Sequence, residues 1–325
     1  MPTQAYFDKY PAFPDDVPVA KLPRLSFAKL LTHEESESDA LFEAYRAMGF
    51  FLLDFQGCPE GEAFLKKAET MFDLNEEVNS MNVDELMKYA YQPPHSLFGY
   101  KHIGNLKIED GRPDRVEFYN VGQDDMTGVS KPLPNPSCIE AHRTLALLQQ
   151  INSPSGTSLR MLCYPPQLAD NQRTSSTWHT DIRSLIILFN ITGGLQLLHP
   201  GADPRDESSW VYVKPAPRCA IVNLGNAMVK WSAGILQSDM HCITFAPGKQ
   251  AQVTRYSLAY LVQPNGNAPM KRLSGGDSLI PAPEEGEEDN PMDARKWEAH
   301  KAVAIRTGRD NARSRGSKEI KLEGA

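Results

Sequence analysis

The chain has 325 residues, 41% hydrophobic and 23% charged, with a mean hydropathy of −0.44, enough to bury a large core. A formal net charge of −7 argues against a nucleic-acid surface, and no stretch reaches the roughly 18 consecutive apolar residues of a membrane span. The partner expected is a small-molecule substrate, with no nucleic acid and no membrane.

Met1 to Tyr6 carries neither a basic region nor an apolar one, so the protein is read as cytoplasmic; a monomer or weak homo-oligomer is expected. Residues 1 to 22, rich in proline and aromatics without a period, read as an arm lying across another element, and residues 23 to 31 as a short strand. Ser36 to Met48 carries an apolar stripe at Ala40, Leu41, Ala44, Tyr45 and Met48 and stops at Gly49, which predicts a helix. Phe50 to Leu53 reads as a strand and Glu60 to Asn75 as a second helix, together a support rather than a site. Residues 82 to 136 are broken by prolines and glycines and hold Phe98, Tyr100, Phe118 and Tyr119, so they read as a loop region edging a substrate pocket. Cys138 to Ile151 predicts a third helix.

From Leu159 the texture changes to short apolar runs separated by turn residues: 159–164, 185–190, 195–198, 210–214, 219–223, 241–245 and 256–262. That spacing predicts a β-sandwich or jelly roll, and the fold class is mainly β with α (α+β). Beyond Pro264 the chain returns to loop, passes the acidic stretch Glu284 to Asp289, forms a helix over Asp293 to Arg306 and ends in a charged tail. Cys58, Cys138, Cys163, Cys219 and Cys242 are scattered without a C-x-x-C pair, so free thiols are expected rather than a disulfide framework or zinc cluster.

The chemistry concentrates at Trp178-His179-Thr180-Asp181. Residues two apart on an extended backbone share a face, about 6.6 Å apart along the strand, so His179 and Asp181 can chelate one ion. His241, at the opening of a later strand, completes two histidines and one carboxylate. Such a facial set leaves the opposite side of a metal open and suits non-heme Fe(II) oxygen chemistry. A lone H-x-D triplet arises by chance in many chains. His33, His95, His102, His142, His199 and His300 lack a partner at ligand spacing and read as surface or structural residues. Arg255 and Ser257 also lie two apart on a strand, and a guanidinium beside a hydroxyl suits a carboxylate end. Arg183, two beyond Asp181, can meet an anionic substrate or pair with a nearby acid. The substrate candidates are Arg183, Tyr100 and Phe118.

His179-Thr180-Asp181, Gly194-Leu195-Gln196, Asn223-Leu224-Gly225, Ser238-x-x-His241 and Arg255-x-Ser257 follow one another in the order and spacing of the isopenicillin N synthase-like branch of the Fe(II)/2-oxoglutarate-dependent dioxygenases, which this chain resembles. Leu159 to Gln263 carries the likeness closely, and Met48-Gly49-Phe50-Phe51 more loosely. The resemblance implies a double-stranded β-helix core with N- and C-terminal helices packed around it. It divides the chain into a helical and mixed region (1–152), a jelly-roll core (153–265) and a C-terminal loop, helix and tail (266–325). It implies His179, Asp181 and His241 as catalytic iron ligands, Arg255 and Ser257 as the anchor of 2-oxoglutarate, Tyr164 as a further donor to that cosubstrate, and dioxygen as the oxidant. The implied activity is oxidation of a small molecule, by hydroxylation, desaturation or ring formation, in secondary metabolism, with release of succinate and CO2. An iron oxidase of the isopenicillin N synthase type that uses no 2-oxoglutarate, and a non-catalytic jelly-roll metal- or ligand-binding protein, are the alternatives. Three features depart from the family pattern: Cys242 follows the distal histidine, Asn226 stands where aspartate is common, and residues 152–158 are compressed.

Overall fold

The computed structural model describes residues 2–93, 95–108, 111–141, 154–273, 279–281 and 292–306. The strands are β1 (Arg24–Ser26), β2 (Phe50–Asp54), β3 (Gly99–Lys101), β4 (Glu117–Gly122), β5 (Ser158–Tyr164), β6 (Ser176–His179), β7 (Leu185–Asn190), β8 (Leu195–Leu198), β9 (Trp210–Tyr212), β10 (Cys219–Leu224), β11 (His241–Ile243) and β12 (Arg255–Val262), and apolar runs demand burial in β2, β5, β7, β8, β10 and β12. The longer helices are α1 (Glu35–Ala47), α2 (Pro59–Ser80) and α4 (Ala294–Arg306), with the short α3 (Asn226–Trp231) after β10.

One sheet runs β1-β2-β10-β7-β12-β5-β4-β3 and the other β6-β11-β8-β9, the two faces of a jelly roll. The β1–β2 pair is parallel, whereas the strands through the middle of the large sheet pair antiparallel. Every residue of β10 is buried because this strand lies in the sheet interior with both faces covered.

Period-two alternation sorts the large sheet into two faces. On β12, Arg255, Ser257, Ala259 and Leu261 alternate with Tyr256, Leu258 and Tyr260, and the register sets Tyr164, Leu162 and Arg160 of β5 opposite the first three. Leu258 and Met161, on the other face, join the main core with Leu65, Phe72 and Val78 of α2. Asn75 of α2, fully buried, donates to the carbonyls of Leu162 (3.2 Å) and Ser257 (3.3 Å), tying that helix to the outer face. The inner face, carrying Arg160, Tyr164, Arg255 and Ser257, is left for chemistry.

Gly49, with φ +75°, turns α1 into β2, and a Cβ there would sit 2.2 Å from the Gln237 carbonyl oxygen. The turn and the approach of the segment leading to His241 both require glycine. The N-terminal arm lies across other elements as its composition suggests: Thr3 and Tyr6 donate to Glu69 (2.6 Å) and Asp73 (2.7 Å) of α2, and Val19 bridges to Tyr212.

Several expectations are corrected. Residues 23–31 form a three-residue strand that passes at once into a helix, Phe27–Leu31, because the Ser26 hydroxyl caps the Lys29 amide. The second helix runs to Ser80 rather than Asn75, since Val78 continues its buried stripe. The 82–136 region contains β3 and β4, which extend the large sheet from β5; their polar residues hid them, as Asn120 and Lys101 face an interior with hydrogen-bonding partners. The helix expected at 138–151 has begun at Ser137, and the part beyond Ala141 lies outside the described residues. So do the acidic stretch and the charged tail. β1 to β4, which precede residue 152, pair into the same sheet as β5, β7, β10 and β12.

Candidate metal centre and its surroundings

His179 ends β6 and His241 opens β11, directly opposite each other in the antiparallel register. Their ring centroids are 4.5 Å apart. Asp181 follows β6, its Oδ1 4.0 Å from His179 Nε2 and its Oδ2 3.5 Å from His241 Nε2. One ligand atom from each residue falls within 4.8 Å of the others. A metal–ligand bond of about 2.1 Å sets two ligands at right angles about 3 Å apart, so an ion draws these atoms in by an ångström or so. Two imidazoles and a carboxylate on one side fit Fe(II) with open positions opposite.

The same local device orients both imidazoles. His179 Nδ1 lies 2.8 Å from the Thr177 carbonyl and His241 Nδ1 3.2 Å from that of Asp239. A carbonyl only accepts, so the proton sits on Nδ1 and the Nε2 lone pair faces the site. Burial pushes the His241 pKa down to about 4, against the pull of Asp181, which keeps the ring neutral and ready to ligate. Burial opposes the Asp181 charge, but the two imidazoles, the Asn223 hydrogen bond and Arg160 outweigh it and hold the carboxyl below its usual range.

The end of β10 and the segment after it buttress Asp181. Asn223 Nδ2 donates to Asp181 Oδ2 at 2.7 Å, the Asn226 amide donates to the Asp181 carbonyl at 2.7 Å, and Asn226 Nδ2 donates to Thr180 Oγ1 at 3.0 Å. Between them, Gly225 admits the Arg183 backbone: a Cβ there would sit 2.0 Å from the Arg183 carbonyl oxygen. The Asn-Leu-Gly-Asn run was visible in the sequence, but its role depends on a contact across 42 residues and carried no local signal. Cys242 turns away from the triad into a satellite cluster with Leu198, Trp210 and Met240.

Arg255 is 3% exposed. Its Nε donates to the Gly193 carbonyl at 2.8 Å, its Nη1 to Ser257 Oγ at 3.0 Å, and its Nη2 is buried without a hydrogen-bond partner. The guanidinium lies 4.7 Å from the centroid of the Tyr164 ring, directly opposite in the register. Burial lowers the Arg255 pKa and raises that of the Tyr164 hydroxyl, each tempered by the other. This guanidinium is fixed on three sides with a donor free, the state of an anion anchor.

The substrate candidates separate. Arg183 forms an ion pair with Glu298 of α4 at 2.7 Å, so of its two sequence readings the structure displays the acid pair. Tyr100 lies opposite Tyr119 on the outer face and donates to Glu117 at 2.6 Å, away from the triad; the loop reading could not reveal which face of a then unrecognised strand it took. Phe118 is on the inner face, its ring 4.5 Å from the Arg160 guanidinium. Arg160 is the residue that sequence reasoning missed. It lies four positions before Tyr164 and so on the same face, a period that was legible once β5 was recognised. A cavity of about 200 Å³, lined among others by Tyr89, Phe98, Asn120 and Leu133, adjoins the inner face of β4.

Known proteins resemble the chain in this frame. A family model described as the 2OG-Fe(II) oxygenase superfamily matches residues 155–264, and one described as the N-terminal part of non-haem dioxygenases in morphine synthesis matches residues 17–138. A 2-oxoglutarate-dependent dioxygenase of Aspergillus fumigatus is 30% identical over 313 residues, covering 82% of this chain and 81% of that protein. Another, from a Dothideomycetidae species, is 26% identical over 289 residues, covering 80% and 87%. The crystal structure of a full-length Neurospora crassa protein in complex with alpha-KG superposes with a TM-score of 0.68 at 21% identity, covering 90% of this chain and 98% of that one, a likeness of fold.

Proposed function

The chain belongs to the Fe(II)- and 2-oxoglutarate-dependent dioxygenases, and on that premise we propose that His179, Asp181 and His241 hold the iron while Arg255, Ser257 and Tyr164 hold the far carboxylate of 2-oxoglutarate. The protein is an oxidoreductase that uses Fe(II), 2-oxoglutarate and dioxygen. When bound, the iron and the keto acid together activate dioxygen, with succinate and CO2 as the products of the cosubstrate. The observation that carries the residue assignment is the convergence of three donors within 4.8 Å in the interior where Arg255 keeps a buried, unbonded Nη2.

Each residue has a task set by its atoms. The two Nδ1 hydrogen bonds aim the Nε2 lone pairs, and Asn223 steadies the Asp181 carboxylate from behind. Arg255 and the Ser257 hydroxyl fix the far end of the keto acid so that its reactive end meets the metal, a positioning that replaces entropy loss at the moment of reaction. Ile186, Leu188, Ala259 and Leu261 pack beside Leu162 on the inner face and keep water from that interior.

The substrate is a small molecule of secondary metabolism that undergoes hydroxylation, desaturation or ring formation; the match to a region named for morphine-synthesis dioxygenases supports this. No helix among the described residues is long and apolar enough to cross a membrane. We place the enzyme in the cytoplasm as a monomer or weak homo-oligomer, since one chain supplies every residue of the site. Anaerobic titration of the protein with Fe(II), with and without 2-oxoglutarate, tests the reading. A visible metal-to-ligand charge-transfer band is expected only when both are present, and its absence at saturating concentrations refutes the assignment.

A further inference from the structure

The inner face carries more fixed positive charge than the reaction components neutralise. Lys101, fully buried, is paired with Asp114. Arg183 is paired with Glu298 at 2.7 Å. With the site filled as proposed above, Arg255 and the two charges of the metal are balanced by Asp181 and the two carboxylates of 2-oxoglutarate. Arg160 is left over: it makes no ion pair with any described carboxylate within the 4.0 Å reach of a salt bridge.

Arg160 is also held as a receptor is held. Its Nε donates to Asn120 Oδ1 at 2.9 Å, and Asn120 is fixed in turn by donating to the Leu97 carbonyl at 2.7 Å. The guanidinium plane rests on the Phe118 ring at 4.5 Å. These contacts occupy one edge and one face and leave both Nη groups without a hydrogen-bond partner among the described residues. Burial, with the Arg183 cation beside it, pushes the Arg160 pKa down to about 10, while Asp181 pulls the other way. The group therefore remains charged at neutral pH within electrostatic reach of the metal ligand Asp181. Along β5, Arg160 stands four residues from Tyr164, the residue opposite Arg255, about 13 Å of backbone at roughly 3.3 Å per residue.

We infer that Arg160 is a specificity-determining residue that binds a single carboxylate of the substrate through its two free Nη groups, so that the oxidised molecule is a monocarboxylic acid. A planar fork with both terminal nitrogens free matches a carboxylate bidentately. One residual positive charge calls for one negative charge, which a carboxylate supplies and a phosphate monoester, nearly doubly charged, exceeds. The inference rests on the iron and 2-oxoglutarate assignment above.

The test uses the whole protein with Fe(II) and 2-oxoglutarate under anaerobic conditions. A panel of aromatic, alicyclic and medium-chain monocarboxylic acids, each beside its primary amide, is titrated by calorimetry and by perturbation of the charge-transfer band. At least one acid is expected to bind about thirtyfold or more tightly than its amide, about 2 kcal/mol at about 1.4 kcal/mol per decade. In Arg160→Gln that ratio is expected to collapse toward one, with 2-oxoglutarate affinity within about twofold of wild type. Arg160→Lys, which keeps the charge without the fork, is expected to keep part of the ratio; it also serves should the glutamine variant fail to fold by circular dichroism. Equal binding of acids and amides, binding of no acid at all, or a ratio that survives in Arg160→Gln each overturns the inference. Parallel loss of 2-oxoglutarate affinity in that variant overturns it too, by assigning Arg160 to the cosubstrate. Failure of the wild type to bind 2-oxoglutarate marks failure of the underlying assignment instead, and the acid-to-amide ratio of the Fe(II) protein then still judges Arg160.

Discussion

Replacing Arg255 by Gln separates cosubstrate anchoring from everything else the site does. The guanidinium is 3% exposed, bonded to the Gly193 carbonyl and Ser257, stacked on Tyr164, and keeps one buried donor unbonded. A carboxylate arriving there forms a desolvated, charge-assisted pair, and truncating one partner of such a pair costs about 2 to 5 kcal/mol. At about 1.4 kcal/mol per decade, the affinity for 2-oxoglutarate falls at least about thirtyfold. The same loss is readable as heat stability. At 100 times the wild-type Kd the cosubstrate stabilises the folded protein by about 2.7 kcal/mol, and a thirtyfold weaker site keeps about 0.9 kcal/mol of that. With an unfolding entropy of about 2.1 cal/mol/K per residue over this chain, the 2-oxoglutarate-induced rise in Tm shrinks from about 4 °C to about 1 °C. Iron content is expected to be unchanged, because a guanidinium donates hydrogen bonds and ligates nothing. Arg255→Lys loses less, since the ammonium keeps the charge but not the fork. Differential scanning fluorimetry with and without 2-oxoglutarate, beside iron analysis, reads all of this. An Arg255→Gln protein with an undiminished 2-oxoglutarate shift and full iron content refutes the anchor.

Asp181→Ala is expected to remove most iron binding and all turnover while leaving the far-ultraviolet circular dichroism intact, since the triad lies at the edge of the interior and outside the main core; iron retained with turnover contradicts the ligand set. Asn223→Ala removes the 2.7 Å hydrogen bond to Asp181, and partners of this kind cost about 10- to 100-fold in metal affinity or activity, to be read by competition with a metal-sensitive dye. Gly225→Ala puts a Cβ 2.0 Å from the Arg183 carbonyl; with overpacking at about 1 to 3 kcal/mol, both the urea midpoint and iron affinity should drop, because the displaced loop carries Asp181. Lys101→Met strands Asp114 in a buried setting, and breaking such a pair costs about 3 to 5 kcal/mol, measured as a lowered free energy of urea unfolding with iron stoichiometry preserved in the folded fraction.

What the sequence determined by itself is what repeats locally. The apolar stripe ending at Gly49 sufficed for α1, and the apolar runs from Leu159 onward for β5 and β7 to β12, because burial of a periodic face fixes helix or strand over a few residues; the polar β6 (Ser176–His179) was not among those runs. The grouping of His179, Asp181 and His241 was legible because a metal site would restrict both residue type and spacing, and the structure brings the three together; Arg255 and Ser257 were paired in the sequence because two residues apart on a strand share a face. The tertiary structure alone decided the rest. β3 and β4 carry polar residues inward, where Asn120 and Lys101 find hydrogen-bonding partners, so no hydrophobic alternation announced them. Tyr100 went to the outer face because a one-residue register choice on an unrecognised strand decides which side a ring takes. Arg183 met Glu298 from a helix far along the chain. Asn223 came to support Asp181, and Arg160 came to lie on Phe118 beside Asn120, through strand pairing across long sequence separations. Such contacts depend on register and sheet order, which no local pattern of side chains encodes.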